Sequence, residues 1–185
     1  MTGHSARKQR TLDRRNSILT AARTRADAEG WDAVTTRHLA EAIGFSQPVL
    51  YGHFPGGKAE IMLAVALEGF QELTSACRAA LDNARDGSRI EVVATAYLDF
   101  AQHHPSVYEA MFQEAIETPF ASEHTLPELR AGFDVVSEAL GDNADGAATE
   151  IFWAALHGAS VLERAGRMRP EHRDARIREI VSRFG

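Results

Sequence analysis

Amide, hydroxyl and cationic side chains cluster in the first third of the chain, at the spacing of two short helices. Gln47 carries an amide that can pair with N6 and N7 of adenine, and Pro48 and Val49 can contact a thymine methyl group. Thr36 and Arg37 offer a hydroxyl, a guanidinium and free backbone N–H groups, which can hold phosphates at a helix start. The pattern predicts a surface that recognises DNA bases at its centre and binds phosphates around them.

The other candidates for DNA contact lie at the ends of the same segment. Ser46 is predicted to cap the second helix, and Tyr51, His53 and Lys58 follow it at positions suited to phosphate oxygens. Tyr51 is the strongest single candidate, because an exposed aromatic hydroxyl on a short helix has little other purpose. Leu50 is predicted to face inward and is left out of the site. The alternative interpretation is that the polar side chains form ordinary solvated surface.

Two short helices joined by a glycine turn must position these side chains. Thr35 or Thr36 is predicted to cap the first helix, which ends near Ile43, and Gly44 lies where a tight turn needs a positive φ. This geometry is a helix-turn-helix, in which the second helix enters the major groove and the first crosses the backbone. Its apolar residues are interpreted as core: Leu39, Ala40, Ile43, Phe45, Leu50 and Phe54.

A longer helix is predicted to precede this motif. Ile18, Ala22 and Ala26 recur four residues apart, which is typical of one helix face, and Gly30 is placed to end the helix. The helix is expected to begin near Asp13. The polar and basic residues 1–12 before it are predicted to form a flexible arm.

The remainder of the chain is predicted to be helical, and the fold class is all-α with about nine helices. No convincing strand alternation or internal repeat is present, and prolines and glycines separate the apolar segments. The predicted helices are Lys58–Ala84, Arg89–His103, Val107–Glu117, Glu128–Leu140, Asp145–Ala165 and Arg173–Phe184.

Charge is distributed unevenly along the chain. The net charge of the 185 residues is −6, which by itself argues against a protein that binds nucleic acid. Residues 1–58 nevertheless hold nine Lys and Arg against five acids, whereas residues 59–185 hold eleven against twenty-one. The asymmetry favours a basic module that meets phosphate and an acidic body that does not.

The composition points to a cytoplasmic protein without a membrane span. Cys77 is the single cysteine, so no intrachain disulfide is possible and a reducing compartment is expected. No signal peptide is predicted, because the early basic residues are followed by more polar ones. The longest near-apolar run, Ile151–Leu162, is too short to cross a bilayer and is interpreted as a buried helix.

Metal-binding and catalytic patterns are missing from the sequence. The eight histidines form no HxxxH or HExxH pair, and the chain has no CxxC, no GxSxG and no phosphate-binding glycine loop. Cys77 is interpreted as a small buried apolar residue and not as a nucleophile. We therefore expect no cofactor, no metal and no enzymatic activity.

The segment Thr35–Lys58 resembles the DNA-binding signature of tetracycline-repressor-like (TetR) regulators. The matching residues are Gly44, Ser46, Leu50, Tyr51, His53, Phe54 and Lys58. Farther on, Phe152–Gly158 resembles the Trp-His-Gly motif of one C-terminal TetR subtype. His104-Pro105, Tyr108 and Met111-Phe112 resemble other features of the same subtype. After the predicted arm (1–12), the resemblance implies a DNA-binding domain (13–57) and a ligand-binding and dimerisation domain (58–185). It also implies a homodimer in which the last two helices of each subunit form a four-helix bundle across the two-fold axis.

A small-molecule cavity among the middle helices is implied by the same resemblance. Its candidate residues are aromatic or polar: Tyr97, Phe100, His104, Tyr108, Met111, Phe112, Phe133, Trp153 and His157. The alternative interpretation of this set is plain core. Since it offers no fixed charge pair and no arginine clamp, we expect an apolar or aromatic effector.

The sequence therefore predicts a ligand-responsive repressor that binds a palindromic DNA operator as a homodimer. The alternative within this class is an activator of the same fold. A different class stays open, a helical small-molecule carrier without coupling to DNA.

Overall fold

The computed structural model describes residues 3–85, 88–112, 126–142 and 146–185. Over these ranges the chain forms nine α-helices and two 3-10 turns without any strand, which confirms the predicted all-α class. The α-helices are α1 Gly3–Glu29, α2 Thr36–Ala42, α3 Gln47–His53, α4 Gly57–Asp82, α5 Arg89–His103, α6 Pro105–Phe112, α7 Pro127–Leu140, α8 Ala147–Arg164 and α9 Arg173–Ser182.

The predicted helix segments agree closely with those observed. Arg89–His103 is identical to α5, and the predictions for α4, α7, α8 and α9 differ from the observed bounds by no more than two residues at either end. The helix predicted over Val107–Glu117 corresponds to α6, which begins two residues earlier, at Pro105. Its predicted residues 113–117 lie outside the described residues.

The start of α1 differs from the prediction. The helix begins at Gly3 and not near Asp13, so residues 3–12 are helical, and the flexibility of this segment stays a prediction. The physical reason is local: no proline or glycine interrupts the chain between Gly3 and Gly30. Gln9 also donates a hydrogen bond to Asp13 one turn later, at 2.8 Å.

The described residues cluster into two compact units. Among them, unit 1 comprises 3–67 and 106–112, and unit 2 comprises 68–85, 88–105, 126–142 and 146–185. The predicted functional division at residue 58 stays a prediction.

The core of unit 1 buries one face of α1 against the helices that follow. Ile18 and Ala22 are fully buried, as are Leu39 of α2 and Leu50 of α3. Two positions predicted as core, Ile43 and Phe45, are only half-buried. They lie beside the Gly44 turn, where the chain passes between α2 and α3.

Unit 2 is built around α5, which packs against α7, α8 and α9. Tyr97 and Leu98 of α5 and Phe152 and Leu156 of α8 are at most 2% exposed. The helix α8 was predicted to be buried on most sides because it is apolar around its circumference. One of its faces is nevertheless exposed within the chain, and Ile151 is 62% exposed.

Candidate nucleic-acid interface

The turn between α2 and α3 has the predicted helix-turn-helix geometry. Thr35 caps α2, because its side-chain oxygen accepts a hydrogen bond from the backbone N–H of His38 at 3.2 Å. Gly44 has φ +70°, which a residue with a Cβ adopts only with strain. The backbone of Ser46 begins α3: its carbonyl accepts from the N–H of Val49 at 3.0 Å.

The helix α3 separates the core from the candidate contacts. Leu50 is completely buried, as the sequence predicted. Gln47 and Pro48 are exposed and Tyr51 is 44% exposed, whereas Val49 is half-buried. The solvent face of α3 therefore presents an amide, a pyrrolidine ring and a phenol side by side.

One small polar cluster joins the start of α2 to the end of α3. The hydroxyl oxygens of Thr36 and Tyr51 lie 3.3 Å apart and share a hydrogen bond. Gly57 closes the cluster with φ +61°, and a Cβ there would lie 3.4 Å from the ring of Tyr51. Two predicted phosphate contacts are thus adjacent in space. No sequence pattern indicates that Gly57 lies next to Tyr51.

The remaining predicted contacts have different surroundings. Arg37 pairs with Glu41 at 3.0 Å, and both side chains are more than half exposed, so the pair adds little stability and can open cheaply. His53 is half-buried at the end of α3. The ammonium of Lys58, predicted to meet phosphate, donates a hydrogen bond to the backbone carbonyl of Trp31. This internal partner gives Lys58 a structural role that the sequence did not suggest.

Two arginines of α1 flank α3 through contacts that the sequence does not indicate. The guanidinium of Arg14 lies over the ring of Phe45 at 5.2 Å, just before α3. That of Arg15 lies over the ring of Phe54 at 4.4 Å, just after α3. Both arginines belong to the basic N-terminal segment of the sequence. Their contacts with the two phenylalanines span about 30 and 40 residues, so no local sequence pattern indicates them.

Three of the predicted pocket residues lie on α6 in unit 1. Tyr108 and Met111 are buried, Phe112 is half-buried, and the rings of Tyr108 and Phe112 have centroids 4.8 Å apart. The indole N–H of Trp31 donates to the carbonyl of Ser106 at 2.8 Å and fixes the start of α6.

The other six lie in unit 2. The indole N–H of Trp153 donates to the hydroxyl of Tyr97 at 3.0 Å, and Tyr97 is 1% exposed. His157, one turn after Trp153, is half-buried, and burial lowers the pKa of its imidazole. The structure thus brings these three side chains to the same region of α5 and α8.

Phe100, His104 and Phe133 complete the predicted set. Phe100 is buried and its ring lies 4.8 Å from that of His104, which is exposed at the end of α5. Phe133 is half-buried, and a Cβ at Gly146 would lie 3.4 Å from its ring.

Unit 2 also contains a cleft of about 310 Å³ between α5, the end of α8 and α9. Arg173 pairs with Asp99 at 2.7 Å, and Arg176 pairs with Glu163 at 2.5 Å, on its charged side. The lining residues include none of the predicted pocket residues and are Leu98, Ala101, Gln102, Ser160, Glu163, Arg164, Met168, Pro170, Arg173 and Arg176.

An exposed recognition helix, a glycine turn and a capped supporting helix define a helix-turn-helix DNA-binding protein. Comparison with known families agrees. A model described as bacterial regulatory proteins, tetR family, matches residues 18–65. A second model, described as tetracyclin repressor-like, C-terminal domain, matches residues 90–184.

Individual proteins show the same relationship. The HTH-type transcriptional regulator Rv0681 of Mycobacterium tuberculosis is 33% identical over 178 residues, covering 92% of this chain and 79% of that protein. The HTH-type transcriptional activator FasR of Mycolicibacterium smegmatis is 32% identical over 131 residues, covering 70% of this chain and 56% of FasR. A solved bacterial regulatory protein in the tetR family from Rhodococcus RHA1 has the same fold, with a TM-score of 0.64, 20% identity and coverage of 92% of this chain and 96% of that one.

The chain belongs to the TetR family and is a DNA-binding transcriptional regulator. The finer assignment to a Trp-His-Gly subtype stays a prediction. Among the described residues, no helix is both long and apolar enough to span a membrane. The same part of the chain contains no cluster of three or more His, Cys, Asp or Glu that could hold a metal ion.

Proposed function

We propose that this regulator is a repressor that binds a palindromic operator as a homodimer and releases it when a small apolar or aromatic molecule binds. The observation that carries the proposal is the exposed face of α3, where Gln47, Pro48 and Tyr51 lie beside the fully buried Leu50. A regulator of this kind acts in the cytoplasm, where the genome of a bacterial cell lies.

The roles of the contact residues follow from their chemistry. Gln47 is the candidate for adenine, and Pro48 and Val49 are the candidates for a thymine methyl group. Around them, Thr36, Arg37, Ser46, Tyr51 and His53 would hold phosphates and fix the register of α3 in the groove. The shared hydrogen bond of Thr36 and Tyr51 supports this role, because it presents both hydroxyls at one place.

The exposed face of α8 supports a second copy of this chain as the partner. Ile151, Val161 and Leu162 are 62%, 45% and 38% exposed, and their spacing places them on one face. Ala154 and Gly158 lie between them and would allow a close helix crossing. Burial of each large side chain contributes roughly 1.5–3 kcal/mol. A two-fold dimer also presents two copies of α3, as a palindromic site requires.

Effector binding is proposed for unit 2 around Tyr97, Trp153 and His157. These side chains combine aromatic surface with hydroxyl and imidazole groups, which suits a ligand with an aromatic ring and few charges. Release of DNA requires that the ligand bind more tightly to the form that does not fit the operator.

The first experiment measures binding of the purified protein to DNA from the region upstream of its own gene, across a salt series. We expect preference over random DNA and a steep fall of affinity with salt. Tyr51→Ala should weaken binding without altering helical content or dimerisation. Absence of sequence preference, or absence of salt dependence, contradicts the proposal, and collapse of folding in Tyr51→Ala makes Tyr51 a core residue.

A second experiment tests the dimer face. Ala154→Arg should convert the dimer to a monomer in sedimentation velocity, because it places a charge at the centre of the apolar stripe. Ala79→Arg makes the same change at an exposed position of α4 and should leave the dimer intact. Dimerisation that survives Ala154→Arg excludes this face as the interface.

Activation is the second candidate, favoured by the relative FasR, whose name describes a transcriptional activator. In vitro transcription from the bound promoter distinguishes the two signs of regulation. Titration of the operator complex with candidate ligands separates a regulator from a carrier. A carrier without DNA coupling would bind the ligand and leave its affinity for DNA unchanged.

A further inference from the structure

We propose that the first three turns of α1 form a second DNA-binding element, which holds the phosphate backbone next to the operator segment contacted by α3. The inference rests on the proposed function and extends its DNA contacts beyond the helix-turn-helix. The helix runs unbroken from Gly3, and every side chain from Ser5 to Arg14 is exposed. Among the described residues, the side chains of this exposed segment form hydrogen bonds only within α1, and Arg14 also lies over the ring of Phe45.

The face of α1 that builds the core changes character along the helix. Ile18 and Ala22 bury this face in unit 1. Toward the N-terminus the same stripe continues through Arg15, Thr11 and Lys8, at helical spacing. An apolar face therefore becomes a basic one at the point where the helix leaves the core.

Two contacts place this basic face beside the recognition helix. Arg14 and Arg15 lie over Phe45 and Phe54, the residues that flank α3 at its two ends. Arg7 and Lys8 precede Arg14 and Arg15 by seven residues, which is two helical turns. They therefore lie on the same face, farther along the helix and in full solvent.

The charge of the segment fits phosphate. From Ser5 to Arg15 it contains five Lys or Arg and one acid, Asp13, which accepts a hydrogen bond from Gln9. From Gly3 to Asp13 the helix is roughly 16 Å long at 1.5 Å per residue. That length corresponds to about five base pairs of DNA at 3.4 Å each. A basic helix with no apolar face of its own fits a DNA backbone better than a protein groove.

The test is the double variant Arg7→Gln and Lys8→Gln, measured on the operator by fluorescence anisotropy at several salt concentrations. A dimer loses four phosphate contacts in this variant, so the slope of log affinity against log salt should fall by about 3.6. Between 50 and 200 mM salt, the wild type should then lose roughly 150-fold more affinity than the variant.

The matched control is the double variant Arg85→Gln and Arg130→Gln. Both arginines are exposed in unit 2, so this variant changes the net charge equally and should keep the wild-type slope. An unchanged slope in the Arg7 and Lys8 variant overturns the inference, even though a wild type with sequence preference still supports the proposed function. An equal fall in both variants also overturns it, because net charge and not this face would then govern binding. Failure of the wild type to prefer its operator refutes the proposed function itself.

Discussion

Lys58 links the start of α4 to the 3-10 turn Trp31–Ala33, because its ammonium donates a hydrogen bond to the carbonyl oxygen of Trp31. We predict that Lys58→Met, which keeps the length of the side chain and removes the donor, lowers stability and leaves the salt dependence of DNA binding unchanged. The sequence alone had placed this ammonium on phosphate, so the variant separates a structural role from a DNA contact.

The size of the effect follows from the surroundings of the carbonyl. A hydrogen bond from a charged group contributes about 1.5–3 kcal/mol. The lower end applies here, because the Trp31 carbonyl also accepts from the N–H of Val34 at 3.1 Å and Lys58 is only half-buried. A loss of about 1.5–2 kcal/mol corresponds to a fall in Tm of about 3–8 °C for a chain of this size.

Thermal unfolding by circular dichroism measures the stability, and the operator salt series measures the DNA contact. Lys8, the only other lysine, is exposed and provides the matched control Lys8→Met. That control should keep the wild-type Tm and lower the salt slope, the reverse of the pattern expected for Lys58→Met. An unchanged Tm with a slope lowered by about 0.9 per protomer in Lys58→Met would show that Lys58 binds phosphate and refute the argument.

Other positions give further predictions. Burial raises the pKa of the Cys77 thiol to about 12, so iodoacetamide at pH 8 should label the unfolded chain and spare the native one; labelling of the native protein at the unfolded rate would contradict this. Because the native thiol holds its proton more tightly than the unfolded one, Cys77 should also make stability fall as the pH rises above about 8.5, and Cys77→Ala should lessen that fall. Trp153→Phe removes the hydrogen-bond donor to Tyr97 and should lower the free energy of urea unfolding by about 1 kcal/mol. Adding Tyr97→Phe to this variant should lower it much less than Tyr97→Phe does alone, and strictly additive effects would argue against the bond. Gly57→Ala places a residue with a Cβ at φ +61° and should lower the free energy of unfolding by about 1–2 kcal/mol. An unchanged midpoint in equilibrium unfolding would disprove this.

The helices and the DNA-binding motif could be predicted from local patterns. Prolines and glycines between apolar segments indicated α5 with its observed bounds, and the glycine turn with Thr35 ahead of it indicated the helix-turn-helix. Leu50 was correctly placed inward from the same spacing. These features depend on residues within a few positions of each other, where backbone geometry dictates which side chains share a face.

The start of α1 differs from the prediction because a polar composition does not by itself exclude a helix. Arginine, lysine and glutamine are good helix formers, and the absence of a breaker after Gly3 outweighs the absence of an apolar stripe. The half-burial of Phe45 had a related cause: spacing shows which face a residue shares, but not how far the packing around it extends.

What the sequence by itself determined was the fold class and the family, since both depend on residue types at short, regular spacing. Only the tertiary structure decided which partners the charged side chains contact. Lys58 meets Trp31 across 27 positions, and Arg173 meets Asp99 across 74. The basic side chains of α1 were visible in the sequence, but two arginines over rings that flank α3 place them beside the recognition helix. Such contacts join residues that no local period relates, because they form only when separate helices pack together.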